Sequence, residues 1–254
     1  MVKFTNEDKL KDLFKDGQTI MFSGMSGYGY PPGIISAIKN SDAKDLTLIY
    51  IENNSLFDKK FDDVTEIIKV PGKVKKIICS HLGKLSLKEN LHYVEDIEVE
   101  VYPMGVLAQK MQAGANGVKG ILIDFKLASI YRDAEYLKEN TLYAGGKIPE
   151  VSVSGMAKTT QVELLSVNAV GTFEKALNAD FGCILAENVD KFGRVNYNRT
   201  KYNSKDVIKA AEVGIIEYEH LMDEVDFDHV DIESPWVHYA IPSADAKVKV
   251  TKGK

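Results

Sequence analysis

Glu52-Asn53-Asn54 sets one carboxylate and two carboxamides in a row, directly after the apolar run Leu46-Thr47-Leu48-Ile49-Tyr50-Ile51. A carboxylate there can act as a base or nucleophile, and an Asn amide can donate to a developing oxyanion. An ordinary polar turn would use the same three residues, and the triplet alone leaves both readings open. A second stretch upstream could also meet a ligand: Ser23-Gly24-Met25-Ser26-Gly27-Tyr28-Gly29-Tyr30-Pro31-Pro32, leading into Gly33-Ile34-Ile35. Glycines let backbone approach a ligand closely, and a helix start presents unpaired N–H groups, so this stretch suits an anion or an oxyanion. Its plainer reading is a turn between a strand and a helix. Gly27-x-Gly29-x-x-x-Gly33 is one residue longer than the dinucleotide fingerprint, which makes it a weak nucleotide motif.

Other chemistries find little support. The five histidines show no H-x-x-x-H or Cys/His spacing, so no metal is expected. Serine-hydrolase elbows and Walker loops are absent from the sequence. Cys79 and Cys183 each sit inside an apolar segment and read as reduced, structural thiols. A formal net charge of −5, with both signs interspersed, disfavours nucleic acid. No run approaches 18 apolar residues, and acidic residues occupy the place of a signal peptide's apolar core. A cytoplasmic protein that does not enter a membrane is the expectation.

The elements that must position these groups follow from periodicity. Residues 5–15 read as a surface helix, 19–22 as a strand, 33–39 as a helix and 46–51 as a strand of β-formers buried on both faces. A helix over about 61–70, a strand at 74–79, helical residues to about His92, a strand at 97–102 and a helix at 106–113 ended by Gly114 and Gly117 continue the alternation. Four rounds of strand, loop and helix predict an α/β fold with an open, mainly parallel sheet covered by helices. Ligands in such sheets bind outside the carboxyl ends of the strands. The pattern over 121–170 is irregular, although residues 150–154 and 161–168 could be strands. A buried strand at 179–187, a turn at 190–194, a short strand at 195–197, a helix at 204–211 and a strand at 213–218 complete the reading. One domain over 1–254 is expected, with a frayed tail at 247–254.

The order of these motifs resembles the α subunit of the family I CoA-transferases. That family spaces Asp-Gly, two residues, three apolar residues, Gly-Gly-Phe, three residues, Gly, one residue and Pro. Here the positions are Asp16-Gly17, Ile20-Met21-Phe22, Ser23-Gly24-Met25, Gly29 and Pro31. Residues 74–83 resemble its basic strand and Ser-Tyr-x-Gly, as Ser80-His81-Leu82-Gly83. Glu98-Val99-Glu100-Val101-Tyr102-Pro103-Met104-Gly105 resembles its Glu-x-Glu-x-x-Pro-Gln-Gly. Residues 180–196, Ala210-Ala211 and 213–219 keep the order of its closing segment. Departures are specific: Ser23 and Met25 replace a Gly and a Phe, and an ungapped match puts Ile51 and Glu52 at the family's two Asn. The family's Tyr-Thr-Pro-Thr-Gly loop is replaced by residues 121–143.

What the resemblance implies is a CoA-transferase fold and a CoA-transferring enzyme with coenzyme A as substrate and no metal. It implies an oxyanion-stabilising Asn at Asn53 or Asn54 and a CoA-side wall at Gly24, Met25, Gly27, Gly29 and Gly105. It also implies a β subunit whose Ser-Glu-Asn-Gly supplies the nucleophilic Glu, and hence a hetero-oligomer acting on an acyl-CoA and a free carboxylic acid. Glu52-Asn53 is itself similar to part of that β motif, which makes Glu52 a candidate nucleophile. The alternatives are a non-catalytic CoA-binding subunit on the same fold and a sugar-phosphate isomerase-like ligand binder.

Overall fold

A computed structural model describes residues 1–25, 28–53, 63–86, 88–124, 160–164, 169–199 and 201–249. Its centre is a parallel sheet. In chain order the strands are β1 (Lys3–Phe4), β2 (Thr19–Phe22), β3 (Leu46–Ile49), β4 (Val74–Cys79), β5 (Glu98–Val101), β9 (Ala179–Asp190), β11 (Ala211–Met222) and β12 (Tyr239–Lys249). Across the sheet they run β1, β12, β11, β9, β2, β3, β4, β5, and every neighbouring pair is parallel. A short β10 (Val195–Asn196) folds back antiparallel on β9. The expected α/β fold is present.

Alternating side chains explain why the strand sequences are almost continuously apolar. In β2, Ile20 and Phe22 enter one core while Met21 enters the other; in β3, Leu46 and Leu48 oppose Ile49 in the same way. Both faces of a parallel sheet are covered, so both sets of side chains must be apolar. The first core is closed by α1 (Glu7–Leu10), α2 (Pro32–Lys39) and α3 (Thr65–Ile68) through Leu10, Ile34, Ile38 and Ile67. The second is closed by α4 (Met104–Ala115) and α5 (Ser204–Lys209) through Leu107, Met111, Val207 and Ile208.

Several expected elements shift. The surface helix at 5–15 is one α turn followed by a 3₁₀ segment, Lys11–Leu13. The helix expected at 61–70 is described as the single turn Thr65–Ile68, and residues 61–62 lie outside the described residues. The stretch reaching His92 is two 3₁₀ segments. Gly114 is not a cap: α4 runs to Ala115, and a Cβ on Gly114 would lie 1.9 Å from the Leu177 carbonyl oxygen, so close backbone packing requires glycine there. A second, antiparallel sheet joins β6 (Gly120–Asp124), β8 (Ala169–Lys175) and β7 (Thr160–Leu164), in that order with β8 central. β7 overlaps the expected 161–168 strand at residues 161–164, and residues 165–168 lie outside the described residues; β6 and β8 had no clear signal. Residues 150–154 and the rest of 125–159 lie outside the described residues. Lys247–Lys249, expected to fray, instead end β12 in register with His220–Met222 of β11.

Candidate functional site

Because β2, β3, β4 and β5 are parallel neighbours, the loops after them open on one edge of the sheet. Three strand spacings of about 4.8 Å separate β2 from β5, so the four loops share a front roughly 14 Å wide. The glycine stretch follows β2, Glu52-Asn53 follows β3, Ser80-His81-Leu82-Gly83 follows β4, and Gly105 lies in the first turn of α4 after β5. Hydrogen bonds lock these ends together. The Tyr50 N–H donates to the Ile78 carbonyl, and the Ser80 N–H and hydroxyl both donate to the Ile51 carbonyl at 2.8 and 2.6 Å. Glu52 pairs with His81 in a further bridge.

The glycine stretch is held in a defined shape. Ser23 continues the pairing of β2, its N–H donating to the Cys183 carbonyl, and its fully buried hydroxyl hydrogen-bonds that of Ser204 at 2.8 Å. A serine in place of glycine therefore ties the end of β2 to the start of α5. Met25 and Tyr28 exchange two backbone hydrogen bonds of 2.9 Å. Gly24 has φ +132° and Gly29 φ +76°, regions that side-chain-bearing residues rarely adopt. A Cβ on Gly24 would stand 2.8 Å from the Tyr30 ring and 2.9 Å from the Tyr28 carbonyl oxygen; on Gly29 it would stand 2.6 Å from the Tyr202 ring. Gly24→Ala is expected to cost about 1–3 kcal/mol of stability through backbone strain, read as a lower denaturation midpoint. Gly105 has nothing within 4 Å of its virtual Cβ and is exposed. Gly27 and Asn54 lie outside the described residues.

Tyr30 joins the two predicted stretches. Its buried hydroxyl donates to the Glu52 carbonyl, so the glycine loop and the β3 end are fixed to each other. Burial, then the nearby Asp63 and Glu52 carboxylates, pushes the Tyr30 phenol far up and keeps it a donor. Asn53 is 1 % exposed, and its Nδ2 donates to Thr65 Oγ1 at 3.2 Å, while Oδ1 has no partner among the described residues. His81 Nδ1 accepts the Gly83 N–H at 2.8 Å, which leaves the neutral ring's proton on Nε2; burial lowers its pKa.

One expectation needs correcting. The N–H groups at the start of α2, expected to suit an anion, are occupied from inside the chain: Glu217 Oε2 accepts from Gly33 at 2.7 Å and from Ile34 at 3.2 Å. No sequence spacing announced this partner, 184 positions away. Also missed was a cavity of about 640 Å³ behind the glycine loop, walled by Tyr28, Tyr30, Tyr197, Arg199, Tyr202 and Glu219 among others. Arg199 pairs with Glu219 at 2.5 Å. The cavity's tyrosines come from two distant stretches, Tyr28 and Tyr30 on the glycine loop and Tyr197 and Tyr202 between β10 and α5. Among the described residues no cluster of His, Cys, Asp or Glu could hold a metal ion, and both cysteine thiols are buried, unpaired and pushed up in pKa by burial. No described helix is long and apolar enough to cross a membrane.

Known proteins resemble this chain in sequence and in fold. A probable coenzyme A transferase subunit alpha of Bacillus subtilis (strain 168) is 31 % identical over 198 residues, covering 78 % of this chain and 73 % of that protein. The mitochondrial succinyl-CoA:3-ketoacid coenzyme A transferase 2A of Mus musculus is 27 % identical over 239 residues, 92 % of this chain but 43 % of that one. The chain thus spans less than half of that relative. An acyl-CoA transferase of Escherichia coli O157:H7, solved as a thioester complex with CoA, superposes with a TM-score of 0.77 at 19 % identity, over 97 % of this chain and 50 % of that one. At that identity the likeness shows the fold. The family model for coenzyme A transferase matches residues 5–241. With nearly its whole length matched, and with an α subunit among its relatives, the chain belongs to the coenzyme A transferase family, on the α-subunit side.

Proposed function

We propose that this chain is the α subunit of a cytoplasmic enzyme that moves CoA between a short-chain acyl-CoA and a free carboxylic acid, one domain of a hetero-oligomer completed by a β subunit bearing Ser-Glu-Asn-Gly. The observation that carries the reading is the meeting of four motif-bearing loops at the carboxyl ends of β2–β5, with the glycine loop and Glu52-Asn53 joined through Tyr30. In the reaction, a glutamate carboxylate attacks the thioester carbonyl carbon and CoA leaves as the thiolate, giving an acyl-glutamyl anhydride. The thiolate then attacks the glutamyl carbonyl, releasing the first acid and leaving a glutamyl-CoA thioester. The second acid reverses these steps and leaves as its CoA ester. Both intermediates hydrolyse easily, so the site must exclude water, and oxygen charge developing at each carbonyl needs donors. In this reading Asn53 or Asn54 is such a donor, and Gly24, Met25, Gly27, Gly29 and Gly105 form the CoA-side wall. The tyrosine-lined cavity behind the loop gives that wall an apolar backing.

The test is co-expression with the chain of a neighbouring reading frame that carries Ser-Glu-Asn-Gly, followed by CoA exchange between acetyl-CoA and a panel of carboxylates. Exchange is expected, with borohydride trapping a glutamyl-CoA thioester on the partner. A trapped thioester on this chain instead, lost in Glu52→Gln, would move the nucleophile to Glu52. An assembled pair that exchanges CoA with no acid while each chain still binds CoA would defeat the reading.

A further inference from the structure

Glu217 is a carboxylate that the proposed reaction does not use. It sits inside β11 at 1 % exposure, with Oε2 on the Gly33 and Ile34 N–H groups and Oε1 buried without a partner among the described residues. A Cβ on Gly33 would approach Oε2 to 3.2 Å, so the carboxylate is packed directly against the first turn of α2. Those N–H groups lack intrahelical partners, and a negative charge there meets the positive end of the helix dipole.

The path from this contact to the cleft is short and stiff. Pro31 and Pro32, whose rings fix φ, are all that separates Gly33 from Tyr30. The Pro31 carbonyl accepts from Ile35 and so belongs to the helix's hydrogen bonding. Tyr30 in turn donates to the carbonyl of Glu52, the residue before Asn53. We propose that Glu217 is a positioning residue for this cleft. By holding the first turn of α2 it fixes Tyr30 and the Glu52-Asn53 strand end, more tightly as carboxylate than as carboxylic acid. Proton uptake at Glu217 then loosens the site.

The surroundings set where that proton binds. β9 and β12 place Leu185 and Ile241 beside Glu217 in register, both uncharged, and α2 offers only backbone N–H groups. The charged groups are Glu7 of α1, which accepts from Ser36, and Glu219 on the same strand, paired with Arg199. Burial raises the Glu217 carboxyl to about 7, the two N–H bonds oppose that rise, and Glu7 and Glu219 add to it. Loosening the first turn of α2 breaks those two bonds while Glu217 stays inside the sheet, so its carboxyl holds a proton more tightly in the loosened site, and proton uptake favours loosening.

Glu217→Gln removes the titration and keeps size and one acceptor oxygen. The proposal rests on the transferase reading only for its activity arm. In the assembled complex, wild-type kcat is expected to rise by up to about tenfold from pH 6 to 8, while Glu217→Gln stays flat near the acid limb. The second arm is hydrogen exchange over residues 22–40 of the isolated chain, with both proteins at the same pD. The variant should exchange faster at pD 8 and like wild type at pD 6. A complex that transfers CoA while neither readout differs overturns the positioning role. An exchange difference without transfer at any pH upholds it and defeats the transferase reading. If Glu217→Gln does not fold, the wild-type chain decides: after correction for intrinsic rates, protection at residues 33–38 must rise with pD through 7, and a flat profile overturns the proposal.

Discussion

Asn53→Ala is expected to lower kcat of the assembled enzyme by roughly 10²–10³-fold, the usual cost of removing one oxyanion donor. An Asn amide nitrogen carries two hydrogens. One of them is committed to Thr65 Oγ1, which leaves a second on a carboxamide whose orientation that bond fixes. Thr65 stands on α3, so the donor is held by a covering helix rather than by the loop itself. The prediction requires kcat to fall much more than affinity for CoA, measured by titration calorimetry on the same preparation. Asn54→Ala is the companion variant. An unchanged kcat in Asn53→Ala with a large fall in Asn54→Ala would move the donor one residue on, and unchanged kcat in both would remove the donor from this strand end.

The largest stability effect is expected at Lys110. Its Nζ lies 2.8 Å from Glu174 Oε2 and 4.4 Å from the centre of the Tyr102 ring, with both charged side chains 5 % exposed. Lys110→Met leaves Glu174 buried without its counter-charge, which costs about 3–5 kcal/mol. Adding Glu174→Leu should recover most of that loss, because exchanging a buried pair for apolar groups is often neutral. Urea denaturation of the two variants beside wild type measures it. A double variant no more stable than the single one would show that the pair organises its surroundings in a way apolar packing does not replace. The consequence reaches beyond the pair, since Lys110 belongs to α4 and Glu174 to β8 of the smaller sheet.

The parallel sheet was legible because its strands are short apolar runs punctuated by polar strand ends, and burial on both faces demands such runs. The 46–51 run and the 179–187 segment announced themselves this way. The smaller sheet did not: Gly120–Asp124 and Ala169–Lys175 pair across more than forty positions and carry no alternation strong enough to stand out. β12 was missed for a different reason. Its end runs into the tail from Lys247, where Lys alternates with Val and Gly and fraying was expected, yet its backbone finds a partner in β11, which sequence pattern cannot report. At the site, Glu52, Asn53 and the glycines were visible as residue types at strand ends. Tyr30, Glu217, Tyr202 and Arg199 were not, because their roles depend on contacts between distant segments. The serine at position 23 looked like a lost glycine and turns out to anchor β2 to α5.

The position of β9 has a consequence for how the chain reaches this structure. β2 is central in the finished sheet, but one of its two neighbours is β9, and Thr19 N–H meets Asp180 Oδ2 across 161 positions of sequence. Synthesis therefore delivers residues 19–115, with β2 to β5 and their helices, long before the strand that covers the other side of β2. During that interval Ile20-Met21-Phe22 forms an open strand edge, and open apolar edges recruit strands from other chains. A strand that lies inside the finished sheet is thus an open edge while the chain is being made. β9 closes that window by pairing with β2.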